Sequence, residues 1–126
     1  MMKIVVDSFA WFELFRGSAS GEKVAEFIEK HEGRIYTTTA NFYEIYYRIT
    51  QEKDELKREE ALAYIKNVSK LVDIDEEISR VAGQIRVKEG LSAIDSFTLA
   101  AARILDAKVL TGDIHFKKFP KEIIFI

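Results

Sequence analysis

One short stretch, Lys3-Ile4-Val5-Val6-Asp7-Ser8, limits the possible folds more than any other part of the chain. Ile4, Val5 and Val6 are β-branched and consecutive, with no polar residue between them. A half-exposed strand alternates apolar and polar residues, so this unbroken run fits a strand buried on both faces. Such strands lie in the middle of parallel sheets covered by helices. In open sheets of that kind, ligands bind outside the carboxyl ends of the strands, and Asp7 stands at that end. Two roles are open to it. Asp is a good helix N-cap, the commoner use. Alternatively, Asp7 belongs to a site to which the fold brings other acids.

The rest of the chain alternates helix and strand patterns. Phe9 to Phe15 reads as a short apolar helix closed by Gly17. Its stripe of Trp11, Phe12 and Phe15 fits core packing or, on so short a helix, a partner surface. Ser20-Gly21-Glu22-Lys23 opens a second helix, with Val24, Phe27 and Ile28 at helical spacing. Arg34 to Thr37 is a second strand. Thr37, Thr38 and Thr39 offer N-caps for a helix through Ile49, with Phe42, Ile45, Tyr46 and Ile49 on one face. Glu44 points nearly away from that face, where an ion pair with Arg48 one turn on is its simplest use. A charged helix starts at Asp54 and carries Leu62 and Ile65 inward. Lys70 to Ile74 is a third strand. Asp75-Glu76-Glu77 opens another helix and suits its dipole. Ser92 and Asp95 fit a capping box ahead of the Ala-rich helix Phe97 to Leu105. Lys108-Val109-Leu110-Thr111 is a fourth strand. Gly112-Asp113 follows it and repeats the pattern of Asp7. Glu122 to Ile126 is a last strand. The expectation is an α/β fold with a mainly parallel sheet, in a single domain over residues 1–126.

Composition removes several classes of function. The chain has no Cys, which excludes disulfides, thiolate zinc sites and a thiol nucleophile. Its net charge of −2 gives no global attraction to nucleic acid, so any such binding must be local or metal-borne. Asp7 interrupts the N-terminal apolar run, and no stretch approaches the ~18 apolar residues of a membrane span. No signal peptide, no membrane contact and a cytoplasmic location are therefore expected.

Four acids then stand out together. Asp7 and Asp113 each follow a short apolar strand, Asp95 opens the helix before the second of these, and Glu44 lies early in the helix after the second strand. Two like charges 4 Å apart repel by about 4 kcal/mol at an effective dielectric of 20, so acids gathered at one place call for a cation. With no Cys available, an all-oxygen donor set suits Mg²⁺ or Mn²⁺.

The series Val5-Val6-Asp7-Ser8, Thr38 followed by Glu44-Ile45, Ser92-x-x-Asp95 followed by Ala100-Ala101, and Leu110-Thr111-Gly112-Asp113-x-x-Phe116 resembles the PIN-domain ribonucleases. Among these it is most similar to the small VapC-type toxins of prokaryotic toxin–antitoxin pairs. The resemblance spans the whole chain. It implies a three-layer α/β/α fold with a five-stranded sheet ordered 3-2-1-4-5, placing Asp7 beside Asp113. It implies that Asp7, Glu44, Asp95 and Asp113 form a catalytic, metal-binding pocket, supported by Ser8 and by the small hydroxyl residue Thr111. It further implies Mg²⁺ or Mn²⁺ as cofactor, an RNA substrate, an antitoxin partner and a homodimer. His115 departs from the pattern, since many relatives carry another acid there. Lys117 and Lys118 are candidate phosphate contacts or ordinary surface lysines.

The other class of function is a non-catalytic α/β module that holds a protein through the Trp11 and Phe15 surface. A phospho-receiver needs an acidic pair after the first strand and a lysine after the last, and neither is present. A haloacid-dehalogenase-type phosphatase needs Asp where Phe9 stands.

Overall fold

The computed structural model describes residues 1–126. Its strands are β1 (Lys3–Val6), β2 (Ile35–Thr38), β3 (Lys70–Val72), β4 (Ala107–Thr111) and β5 (Ile123–Phe125). They form one sheet in the order β3-β2-β1-β4-β5. Every pairing is parallel, so the expected mainly parallel sheet is wholly so. Six helices cover it: α1 (Ser8–Arg16), α2 (Ala19–Lys30), α3 (Thr39–Gln51), α4 (Glu55–Val68), α5 (Glu76–Glu89) and α6 (Ala93–Leu105). None is long and apolar enough to cross a membrane.

The unbroken apolar run of β1 has the predicted cause. Ile4 and Val6 pack into a core built with α1 to α4, and Val5 packs into a second core built with α5 and α6. β4 divides in the same way, with Leu110 on the first side and Val109 on the second. The result is three layers, helix on sheet on helix. The Ala-rich stretch Ala100-Ala101-Ala102 is fully buried, which lets α6 lie close to the sheet.

Register then fixes the site. Val6 pairs with Leu110, and the Asp7 amide donates to the Leu110 carbonyl at 3.1 Å. Asp7 and Thr111 therefore leave the sheet side by side.

The stripe on α1 is mainly core. Trp11 has no exposed surface; its indole N–H donates to Thr37 Oγ1 at 3.1 Å, and that hydroxyl donates to the Val6 carbonyl at 2.9 Å. With its polar atom satisfied, the ring can be buried completely. A partner-binding surface centred on Trp11 is thereby ruled out. Phe12 and Phe15 remain partly exposed. On α3, Ile45 and Ile49 are buried and Phe42 packs against the core as expected, while Tyr46 faces solvent and Asn41 is buried in its stead. The cap of α2 is Ser18 rather than Ser20.

α1 turns into α2 through Gly17, whose φ of 68° is the left-handed conformation glycine favours. The two helices touch at Gly21. A Cβ there would overlap the Glu13 carbonyl and lie 2.9 Å from Leu14 Cα, both rigid backbone. Gly21→Ala is therefore expected to destabilise the protein by about 2 kcal/mol or more, in the upper range for overpacking. Urea unfolding checks this, and an unchanged midpoint would mean that the helices separate freely.

Candidate active site

The floor of the site is Asp7. Its carboxylate is 2% exposed and lies at the N-cap position of α1, yet it makes no capping hydrogen bond to that helix. It is held from elsewhere. Thr111 Oγ1 donates to Asp7 Oδ2 at 2.8 Å, and Asn41 Nδ2 is 3.3 Å from Asp7 Oδ1. Asn41 also donates to Ser8 Oγ at 3.0 Å and Thr98 Oγ1 at 3.1 Å. Its own Oδ1 accepts from the Thr38 hydroxyl at 2.7 Å and from the Thr38 amide at 3.3 Å, the second of which closes the capping box of α3. One amide thus ties α1, α3 and α6 to Asp7. Thr111 has a second duty, accepting from the Asp113 amide at 3.0 Å.

The walls are the other acids. Asp95 lies in the first turn of α6, its amide bonded to Ser92 Oγ at 3.3 Å. The Ser92 half of the expected capping box is therefore present. Asp113 leads into a single 3₁₀ turn (Ile114–Phe116) and accepts from the His115 amide at 2.9 Å. Glu44 makes the expected pair with Arg48, at 3.1 Å, and still lines the same cavity. A cavity of about 220 Å³ is bounded by Asp7, Ser8, Glu44, Asp95 and Asp113, together with Arg16, Arg48 and Phe12. All four acids singled out in the sequence meet there, with Ser8 beside them and Thr111 beneath. Lys117 and Lys118 do not line it. The turn after Asp113 carries them away, Lys118 to Glu89 at the end of α5 and Lys117 over the Phe125 ring.

The acids strain one another electrostatically. Burial, then the neighbouring Asp95 charge, push the Asp7 carboxyl up to about 7, against the pull of the Thr111 hydrogen bond. Burial, then the Asp113 charge, raise Asp95 to about 6, with Ser92 and His115 opposing. Such a site gains from a bound cation, which would let every carboxylate ionise. The donor set fits a small divalent ion: carboxylate oxygens from four segments, and one imidazole at the rim.

Sequence reasoning missed Asn41, Thr98, Arg16 and Arg48 as parts of this site. Asn41 carried a signal, since Thr38-x-x-Asn41 has the spacing of a capping box and continues the Ile45, Ile49 face. Arg48 carried one as the expected partner of Glu44, whereas Arg16 carried none, because only the meeting of α1 with α3 brings it to the cavity.

Comparison with known families matches residues 4–122 to the PIN domain. Solved structures of similar fold include a toxin–antitoxin complex from Klebsiella pneumoniae, with 16% identity, a TM-score of 0.77, and coverage of 97% of this chain and 96% of that one. VapBC2 from Rickettsia felis, bound to a DNA fragment from its promoter, has 18% identity, a TM-score of 0.77, and coverage of 97% and 96%. VapC20 from Mycobacterium tuberculosis, described as a sarcin-ricin loop cleaving toxin, has 16% identity, a TM-score of 0.78, and coverage of 92% and 94%. Comparison with curated protein sequences finds no match.

The raised Asp7 carboxyl has a measurable consequence. Between its ordinary value of 3.8 and its folded value of about 7, the folded chain holds a proton that the unfolded chain has lost. Without metal, this group's contribution therefore rises as pH falls across that window and is lost as pH climbs through about 7. The slope is at most about 1.4 kcal/mol per pH unit for one carboxyl. Asp95 adds a term of the same sign. Asp7→Asn should flatten the profile. Urea unfolding in EDTA at several pH values tests this, and parallel profiles for the two proteins would refute it.

Proposed function

The chain belongs to the PIN-domain family, and from that premise we propose that it is a metal-dependent ribonuclease serving as the toxin of a toxin–antitoxin pair. The observation that carries the proposal is the meeting of Asp7, Glu44, Asp95 and Asp113 in one cavity at the carboxyl ends of β1 and β4. Asp7, Asp95 and Asp113 would hold Mg²⁺ or Mn²⁺, with Glu44 beside them. When bound, such an ion supplies a Lewis acid for a phosphoryl oxygen and lowers the pKa of a water.

The chain's own groups do the remaining work. Thr111 and Asn41 fix both oxygens of Asp7, so the floor of the site needs no rearrangement when substrate arrives. Glu44 is the carboxylate free to orient the attacking water, and Arg48 holds it in place from one helical turn away. Arg16 and Arg48 are the cations on the cavity wall and are placed to meet a substrate phosphate. RNA in place of DNA, a homodimeric assembly and a cytoplasmic location complete the proposal.

The antitoxin reading keeps part of the expected α1 stripe. A groove of about 550 Å³ adjoins the acidic cavity and is lined by Phe12, Phe15, Tyr47, Arg16 and Arg48. A partner segment with apolar side chains fits the aromatic part. Several of the structurally similar proteins are toxin–antitoxin complexes, which supports a partner for this chain as well. A Phe15→Glu variant should keep its nuclease activity and escape inhibition by a co-expressed antitoxin; full inhibition would remove this groove from the interface.

The catalytic reading is tested by cleavage of single-stranded RNA with Mg²⁺ or Mn²⁺. Excess EDTA should abolish cleavage. Asp95→Asn should lower the rate about a hundredfold or more, since even the outer partners of metal ligands are worth 10–100-fold. In parallel, the metal at a hundred times its dissociation constant should stabilise the wild type by about 2.7 kcal/mol, and Asp7→Asn should lose most of that gain. Full cleavage in EDTA would sink the proposal.

A further inference from the structure

His115 lies beside Asp95 and Asp113 on the solvent side of the acidic cavity, where the sequence departs from the family pattern. Its Nδ1 is 2.8 Å from Asp113 Oδ1 and 4.0 Å from Asp95 Oδ2. One donor atom from each of the three residues lies within 4.8 Å of the others. Two donors on opposite sides of one small cation are about 4.2 Å apart, twice a bond of about 2.1 Å, and adjacent donors are closer. Both separations from His115 lie within that span. We infer that Asp95, Asp113 and His115 form a mixed nitrogen–oxygen position that selects Mn²⁺ over Mg²⁺.

The inference rests on the reading of the cavity as a divalent-cation site and adds which ion it prefers. Mg²⁺ takes oxygen ligands in near-ideal octahedral geometry and gives up its water reluctantly. Imidazole suits the transition ions, and carboxylates suit Mg²⁺, Ca²⁺ and Mn²⁺. Of Mn²⁺ and Mg²⁺, Mn²⁺ is the one that more readily takes an imidazole beside carboxylates. An acid at position 115 would leave an all-oxygen set with no such preference.

Local geometry supports a ligand role for the ring. The Asp113 carboxylate accepts from the His115 amide at 2.9 Å as well as facing its ring, so the turn holds both side chains together. His115 Nδ1 and Asp113 Oδ1 face each other at 2.8 Å, so a cation bound there would be shared by both. The His115 side chain is 69% exposed, so an ion reaches it without any movement of the core. For the same reason its replacement should not disturb folding.

Electron spin-echo modulation of bound Mn²⁺ reads the ligand directly. The wild type should show nitrogen coupling, and His115→Ala should not. Calorimetric titration with Mn²⁺ and with Mg²⁺ gives the preference. His115→Asp should lower the ratio of Mn²⁺ to Mg²⁺ affinity by about tenfold or more. If Mn²⁺ binds and is weakened by Asp95→Asn but shows no nitrogen coupling, the inference is overturned and the acidic cation site stands. If neither ion binds, or if Asp95→Asn and Asp113→Asn leave binding unchanged, the inference and the metal-dependent reading both fall.

Discussion

A carboxyl group with almost no exposed surface sits where the central strand of this protein ends, and the surrounding structure is arranged to keep it there. Burying an ionisable group is costly unless its polar atoms are satisfied, and Asp7 spends its two oxygens on Thr111 and Asn41. Each of these partners is in turn constrained. Thr111 is positioned by the pairing of β4 with β1, and Asn41 by the capping box that starts α3. The acid is therefore specified by sheet register on one side and helix initiation on the other. Neither can shift without leaving a buried polar atom unpaired, the kind of loss that exceeds the net worth of an ordinary hydrogen bond.

The same arrangement explains how repelling charges persist in a stable fold. Asp7, Asp95 and Asp113 come from three different segments, each held by bonds unrelated to the other acids. Asp95 sits on the Ser92-capped end of α6, and Asp113 in a turn closed on the His115 amide. Local bonds fix the positions, and the electrostatic cost appears as raised proton affinity in Asp7 and Asp95. Glu44 and Arg48 show the opposite economy. Their surface pair is the ordinary helical kind, and it also carries a carboxylate and a guanidinium to the cavity mouth.

The α/β class and the number of strands were legible because they follow from local pattern, whereas the layer order, the strand order and the gathering of the four acids were implied by the resemblance to PIN-domain proteins. The double-faced burial of Ile4, Val5 and Val6 predicts the central strand, and strands alternating with helices predict a parallel sheet. The competing readings of single residues were decided by tertiary contacts that no local pattern contains. Asp7 occupies a cap position without capping, since Thr111, far along the chain, takes its oxygen. Trp11 was offered two environments by its spacing and is committed to the core by one hydrogen bond to Thr37. Tyr46 lies outside and Asn41 inside because a polar side chain with enough partners can replace an apolar one in a buried row. Arg16 became a neighbour of the acids through the packing of α1 against α3, which periodicity does not reveal.

The site is also graded in depth. Asp7 at its floor is tied to several elements, whereas Asp113 and His115 at its rim sit on one short turn with a quarter or more of each side chain in solvent. Substitutions at the floor propagate into two cores and a sheet; those at the rim do not. Over evolutionary time the two ends should therefore drift at different rates. Descendants of one ancestral chain would share the residues that hold Asp7 and diverge in the turn after β4, so that new ionic preferences and substrates can be tried at the rim while the floor is inherited unchanged.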